Sequence, residues 1–205
     1  MSNTNDLRFE CVHCGNCCTD LNTLVNTTYS DILRIRNGLN LNIDEFIEIL
    51  GFYIFDKKPT TKEIERMVVP PIETEKGLAF TGLKKKSSGQ CYFYKKKKKR
   101  CSIYKFRPNF CRSFPFTFKL LIDIENSNKN AIKVFYTEKG LQYCQGIEDK
   151  SPIIEMDNWI QIGQKIIQDL TKNTVLIKKW NEIVKKKQLL PSARNYILTI
   201  INLER

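Results

Sequence analysis

Apolar residues recur at helical spacing in two short segments near the start of the chain. Ser30 is the candidate N-cap of the first helix. Asn42 is the candidate N-cap of the second, and Glu45 completes a capping box with it. Gly51 is placed to end this second helix. The apolar positions that predict the buried faces are Ile32, Leu33 and Ile35 in the first helix, and Ile43, Phe46, Ile47 and Leu50 in the second.

The middle of the chain has no helical periodicity. We expect residues 53–90 to be irregular or β-like, because Pro70 and Pro71 exclude the interior of a helix there. Residues 131–136 alternate between apolar and polar side chains and predict a β-strand. Alternating phenylalanines indicate a further strand that packs in the core: Phe114, Phe116 and Phe118.

From Ser151 onward, helical periodicity dominates the sequence. One apolar stripe runs over residues 159–170, and another over residues 175–184 is either its continuation or a second helix. Pro191 and Ser192 are typical of the start of a last helix. We therefore expect the C-terminal part of the chain to be helical.

Composition indicates a globular protein of a reducing compartment. The 205 residues, 41% of them apolar, suffice for a hydrophobic core. No segment approaches the roughly 20 apolar residues of a membrane span, and residues 1–10 lack the basic and apolar regions of a signal peptide. We expect a cytoplasmic protein without membrane contact, and in that compartment cysteines serve more often as ligands than as disulfides.

The first cysteine motif is CxxCxxCC, formed by Cys11, Cys14, Cys17 and Cys18. Two-residue gaps allow a tight turn to direct successive sulfurs toward one point, and this spacing recurs in zinc and iron–sulfur sites. Gly15 suits a turn that needs a positive φ. Because adjacent side chains tend to point apart, Cys17 and Cys18 are hard to fit together on one mononuclear ion. This indicates either two sites or one larger cluster.

Four further cysteines follow, and the first three have nine residues between neighbours: Cys91, Cys101, Cys111 and Cys144. Eight sulfurs match two four-thiolate centres, or one centre with four structural or reactive thiols, and the sequence leaves both open. Soft thiolates select zinc, iron–sulfur or cuprous copper. Because CxxCxxC is shared with ferredoxin-type clusters, we favour an iron–sulfur cluster of the 4Fe–4S type over zinc, and either of these over disulfides or free thiols.

These patterns together predict an α+β fold. It would be a small metal-organised domain with irregular cysteine loops, flanking helices and a helical C-terminal part. We assign residues 1–150 to a cysteine-cluster metal-binding domain and residues 151–205 to a helical extension packed on it. Because the ligands are not preassembled in an unfolded chain, the metal is expected to contribute to the free energy of folding.

Cationic and imidazole side chains near the cysteines are candidates for tuning the metal. Arg107 and Arg112 flank Cys111, where a guanidinium would offset the charge of about −2 on a four-thiolate zinc site and donate to sulfur. The alternative is a surface or carboxylate-paired arginine. His13, the only histidine, is a candidate ligand or proton donor, but an intervening position of CxxC more often points away from the metal.

A dense basic run at residues 95–100 lies between Cys91 and Cys101, in a chain of formal net charge +12. The run could bind phosphates while the aromatic residues 92–94 stack on bases. Runs of like charge more often mark solvated segments, and we favour a mobile hairpin tip. Nucleic acid is therefore a candidate partner through the lysine-rich surface, and an unidentified protein partner is the more general expectation.

The combination of cysteine motifs resembles a known family. CxxCGxCC near the N-terminus is followed by a Gly-Gln-Cys at residues 89–91 and by C-x-I-Y-x-x-R-P-x-x-C-R-x-F-P at residues 101–115. Over about residues 9–146 the chain is similar to the YkgJ-type cysteine-cluster family, described as zinc- or iron-chelating, and its cysteine motif resembles that of the flagellin lysine-N-methylases. The resemblance implies that all eight cysteines are chelating positions and that residues 107–112 form the family's RPxxCR pattern.

Three functions are open on the sequence. The first is an iron–sulfur protein acting in redox or electron transfer, or as an accessory to another protein's modification. The second is a zinc-stabilised module that binds nucleic acid. The third is a protein lysine methylase-like enzyme, which the cysteine motif alone supports, because the sequence lacks the glycine-rich loop after a strand that would suit S-adenosylmethionine.

Overall fold

The computed structural model describes residues 6–121 and 131–202. Residues 1–5, on which the signal-peptide prediction partly depends, lie outside the described residues. The helices are α1 (Asn16–Thr19), α2 (Tyr29–Leu39), α3 (Ile43–Ile47), α4 (Thr61–Arg66), α5 (Asn109–Ser113), α6 (Glu138–Tyr143), α7 (Met156–Lys185) and α8 (Ala193–Asn202). The strands are β1 (Leu50–Ile54), β2 (Ile72–Thr74), β3 (Gly77–Leu83), β4 (Tyr94–Lys95), β5 (Arg100–Cys101), β6 (Phe116–Leu121) and β7 (Ala131–Tyr136). The predicted α+β class is confirmed.

The strands form small antiparallel sheets. β1, β3 and β2 make a three-stranded sheet in that spatial order, with β3 in the centre. β4 and β5 form a hairpin whose tip carries a single 3₁₀ turn, Lys96–Lys98, so the predicted hairpin tip is confirmed. β6 pairs with β7, which confirms the strand predicted at residues 131–136. Phe116 and Phe118 lie in β6, and Phe114 precedes it.

The start of α2 differs from the prediction. The N-cap is Thr28, not Ser30, because the side chain of Thr28 accepts a hydrogen bond from the Asp31 N–H while the Asp31 carboxylate accepts one from the Thr28 N–H. Ser30 lies in the first turn, where its hydroxyl donates to the carboxylate of Asp169 in α7 at 2.6 Å. Serine and threonine are both favourable N-cap residues, and tertiary contacts select Thr28 over Ser30.

The second predicted helix is confirmed at its start and wrong at its end. Asn42 and Glu45 form the expected capping box of α3. The helix ends at Ile47, and Gly51, expected to terminate it, lies instead in β1 beside Gly82 of β3. Within residues 53–90, β2 and β3 agree with the predicted β character, whereas α4 was not predicted.

One long helix spans most of the C-terminal part. α7 runs without interruption for 30 residues, so the two apolar stripes belong to the same helix. Gly163 lies on its buried face because the ring of Phe118 packs directly on it, and a Cβ there would collide with that ring. α8 follows after Ser192, whose hydroxyl accepts from the Asn195 N–H at 3.1 Å. None of the helices in residues 6–121 and 131–202 has the length and apolar content needed to cross a membrane.

The C-terminal helices share one hydrophobic core with the rest of the chain. Trp180 of α7 and Tyr196 of α8 are each 1% exposed, and their rings contact at 5.3 Å between centroids. The Trp180 indole N–H donates to the Glu73 carbonyl at 2.9 Å, which attaches α7 to the edge of β2. Residues from α2, α3 and the three-stranded sheet complete this core: Ile32, Leu33, Ile35, Phe46, Leu50, Ile72, Ala79 and Leu83.

A buried polar network joins this core to the loop that precedes α5. Asp31 is fully buried, pairs with Arg34, and accepts from the Asn109 N–H at 3.0 Å. Arg34 also donates to the Arg107 carbonyl at 3.0 Å. The Asn109 side chain donates to Asp169 at 2.7 Å. A buried carboxylate is tolerated only when its oxygens are satisfied in this way.

Replacing this carboxylate should destabilise the fold. Asp31→Ala would leave the Asn109 N–H, the Thr28 N–H and the Arg34 guanidinium without their partner, and we expect the free energy of unfolding to fall by about 3 kcal/mol. Chemical denaturation followed by circular dichroism measures this, with the exposed Asp56→Ala as the control. Equal stability of the two variants would contradict the structural role given to Asp31.

Candidate metal centre

All eight cysteines line one cavity of about 840 Å³. Cys11 and Cys17 are exposed, the other six are partly buried, and every one of them is a free thiol. The structure therefore brings together the side chains that the sequence predicted as ligands: Cys11, Cys14, Cys17, Cys18, Cys91, Cys101, Cys111 and Cys144.

The first motif forms a tight turn against the hairpin. Cys11 and Cys14 lie in an irregular segment, and Cys17 and Cys18 lie in the single turn of α1. Gly15 has φ of 82°, which confirms the predicted left-handed position. It also has no space for a side chain, because a Cβ would collide with the phenol of Tyr94 in β4.

The segment that leads into the first motif is held against the chain around Cys144. The Phe9 N–H donates to the Pro152 carbonyl at 3.0 Å, and the Glu10 N–H donates to the Gly146 carbonyl at 3.1 Å. The Asn16 side chain donates to the Tyr143 carbonyl at 2.9 Å. These bonds bring Cys144, which caps the C-terminal end of α6, to the first motif.

The remaining cysteines reach the cavity from three short elements. The Cys91 N–H donates to the Cys18 carbonyl at 2.9 Å, and Cys101 pairs with Tyr94 across the β4–β5 hairpin. Cys111 lies in α5, whose start is fixed by the bond from the Asn109 N–H to Asp31. The helical core thus positions Cys111 through the buried polar network.

The adjacent cysteines do not diverge. The Sγ atoms of Cys17 and Cys18 lie 3.9 Å apart. Two thiolates on one tetrahedral zinc ion, each bonded at about 2.3 Å, are separated by about 3.8 Å. One turn of α1 thus places both sulfurs at the same cavity, and the expectation that this pair fits one mononuclear ion poorly stays a prediction.

The described residues do not contain a completed coordination sphere. No three of their cysteine, histidine or acidic side chains stand close enough together to hold one ion. The donor set itself fits soft metals, since it is made of thiols that are not joined in disulfides. Metal binding would draw together ligands that the fold gathers around a common space.

Arg107 is the cation that best fits an anionic metal centre. It lines the cavity, its guanidinium stacks on the Tyr104 ring at 3.7 Å, and its buried Nε has no hydrogen-bond partner among the described residues. An unpaired buried N–H donor beside thiolates is suited to donate to a metal-bound sulfur. Arg112, the other predicted binding residue, is exposed and does not line the cavity.

The pKa values of the thiols reflect their crowding. The hydrogen bond with Cys18 lowers the pKa of Cys17 to about 7, with a further contribution from Arg107, while the same bond raises the pKa of Cys18. Burial raises the pKa of Cys91, Cys101 and Cys111, and the neighbouring thiolates add to this effect at each of them. Bound metal would replace protons at these positions.

Two further residues line the cavity in addition to the predicted thiol ligands. His13 lines the cavity with its ring 5.6 Å from that of Tyr104. Lys139, which the sequence analysis did not single out, also lines it and pairs with Asp20 at 2.7 Å. Lys139 lies in α6 far along the chain from Asp20, so no local pattern in the sequence could have indicated this pair.

The fold and the cavity define a cysteine-cluster protein of the metal-chelating class. The model of the family described as "CxxCxxCC: Putative zinc- or iron-chelating domain" matches residues 10–145, and the chain belongs to this family. An uncharacterised protein of Methanocaldococcus jannaschii is 26% identical over 147 residues, which are 70% of this chain and 60% of that protein. The chain thus spans less than two thirds of that relative's length. No solved structure matches the chain.

The two arginines of the RPxxCR pattern provide a matched test. Arg107→Gln should release metal to a chelator at least tenfold more readily, because a group that donates to a ligating thiolate is typically worth 10- to 100-fold in metal affinity. Arg112→Gln removes the same charge outside the cavity and should change metal retention less than threefold. Metal release is measured by absorbance with a colorimetric chelator, and similar effects of both variants would contradict a specific role for Arg107.

Proposed function

We propose that the chain is an iron–sulfur protein that carries 4Fe–4S chemistry in its cysteine cavity and exchanges electrons with a protein partner. The convergence of eight free thiols on one cavity carries this proposal. A bound iron–sulfur cluster supplies one-electron transfer. The chain's own residues would hold it through their thiolates, offset its negative charge with Arg107, and present it to the partner.

The size of the cavity supports a cluster over a single zinc ion. A mononuclear tetrahedral site holds its four sulfurs about 3.8 Å apart around one ion. In a polynuclear cluster each thiolate binds its own iron, so the sulfurs can lie further apart. The cavity of about 840 Å³ also exceeds what one ion needs.

The position of the thiols near the surface suits electron exchange with another protein. Here Cys11 and Cys17 are exposed, so the cavity reaches solvent at the first motif. A centre at that depth is accessible to the redox group of another protein.

The positive charge of the β4–β5 hairpin favours a negatively charged partner. Residues 95–100 are all basic and exposed, and Lys99 also lines the cavity. Cys101 follows directly in β5, so the positive charge is concentrated beside a proposed ligand. Such a patch steers acidic surfaces by electrostatic attraction. The same patch supports a second candidate, a zinc-stabilised module that binds nucleic acid phosphates.

Metal analysis tests the proposed function. Protein purified without oxygen should contain iron and matching acid-labile sulfide, and should show the broad visible absorption of a cluster that bleaches on reduction. Zinc without sulfide would instead favour the nucleic-acid module. Protein that binds neither metal, even after reconstitution with iron and sulfide under reducing conditions, would contradict both candidates.

The hairpin tip offers a matched charge test. Changing Lys96, Lys97 and Lys98 to glutamine should weaken binding of polyglutamate at low salt by roughly tenfold, and added salt should remove the difference. The control changes the exposed run of residues 185–187, also three lysines, in the same way and should alter binding by less than twofold. Fluorescence anisotropy measures binding of labelled polyglutamate and of a labelled single-stranded oligonucleotide. Preferential binding of the oligonucleotide would favour the second candidate.

A further inference from the structure

Hydrogen bonds at or next to the cysteines connect six of the eight in two groups, and the first group surrounds the end of α6. The Glu10 N–H, next to Cys11, donates to the Gly146 carbonyl at 3.1 Å, and the Asn16 side chain, next to Cys17, donates to the Tyr143 carbonyl at 2.9 Å. Both acceptors lie within two residues of Cys144. The two-residue gaps of CxxCxxC direct Cys11, Cys14 and Cys17 toward one point. We call these cysteines the terminal set: Cys11, Cys14, Cys17 and Cys144.

The second group surrounds the hairpin. The Cys18 carbonyl accepts from the Cys91 N–H at 2.9 Å, so these two residues are directly joined. The Tyr94 N–H donates to the Cys91 carbonyl at 3.1 Å, and Tyr94 pairs with Cys101. Cys111 is assigned to this group as the remaining cysteine that lines the cavity. We call these cysteines the hairpin set: Cys18, Cys91, Cys101 and Cys111.

We propose that the cavity holds two metal centres, one bound by the terminal set and the other by the hairpin set, which meet at the Cys17–Cys18 peptide bond. This rests on the proposed function, because it assumes that the thiols bind metal. Four thiolates complete either a tetrahedral zinc site or a 4Fe–4S cluster. One centre would leave four thiols unused in the same cavity.

The junction defines how close the two centres lie. The Sγ atoms of Cys17 and Cys18 are 3.9 Å apart, and their residues share one turn of α1. If each sulfur serves a different centre, the two centres are direct neighbours, linked by one peptide unit. The exposed Cys11 and Cys17 both belong to the terminal set, whereas every cysteine of the hairpin set is partly buried, so the terminal centre would be the more exposed of the two.

Metal content of paired variants tests the division. The full chain is purified without oxygen, and iron, sulfide and zinc are measured per chain. Cys144→Ser and Cys101→Ser should each retain about half of the wild-type metal, because each removes a ligand from one four-thiolate centre. The double variant Cys11→Ser/Cys144→Ser should also retain about half, whereas Cys144→Ser/Cys101→Ser should retain almost none. The two double variants remove the same number of thiols and are controls for each other.

Alkylation mapping assigns the junction. In Cys144→Ser, a thiol reagent followed by mass spectrometry should modify Cys11, Cys14 and Cys17 rapidly, while the metal still protects the hairpin set, including Cys18. Circular dichroism verifies that each variant is folded before labelling. Protection of Cys17 and Cys18 together would overturn the boundary, because both would then serve one centre.

The outcomes separate this inference from the proposed function. Wild-type protein that binds no metal would overturn the proposed function and the division together. Wild-type protein that binds metal but loses all of it in folded Cys144→Ser and in folded Cys101→Ser would overturn only the division, in favour of one shared centre. Equal residual metal in the two double variants would do the same.

Discussion

The position of the cavity depends on the hydrogen bonds and the ion pair that the buried carboxylate of Asp31 makes. It caps the start of α2, pairs with Arg34, and accepts the first N–H of α5. Through Arg34 it also holds the carbonyl of Arg107. These bonds attach the RPxxC loop to the helical core. Because desolvation makes an unpaired buried charge costly, loss of any one of these partners should weaken the attachment.

The cavity combines thiols from elements that are distant in the chain, and the fold brings them near one another without completing a coordination sphere. Crowded thiols favour their protonated forms, since burial and neighbouring thiolates raise the pKa of Cys91 and Cys111. A soft cation reverses this preference by binding the thiolates. Electrostatic repulsion among the thiolates would thus become attraction toward bound metal, and Arg107, which lines the cavity, would reduce the negative charge that remains.

Local patterns in the sequence predicted those elements that depend on local interactions. The capping box at Asn42 and the strand at residues 131–136 needed only neighbouring residues and appear as expected. The capping box of α4, Thr60 with Glu63, has the same signature and could have been found. The capping box of Thr28 with Asp31 is also local, but the bond from Asp31 to Asn109 could not be found, because these residues are distant in the chain. Arg112 matched the motif beside Cys111, yet the direction of its side chain depends on how α5 packs.

The β4–β5 hairpin has a base that is fixed by its neighbours and a tip that is exposed and positively charged. Tyr94 and Cys101 pair at its base, and Tyr94 packs against Gly15, so the base is constrained by its neighbours. The lysines at the tip contribute nothing to the buried core. The length and charge of the tip can therefore change without displacing the sulfur of Cys101. A lineage of such proteins could acquire new partners while the cysteine cavity stays the same.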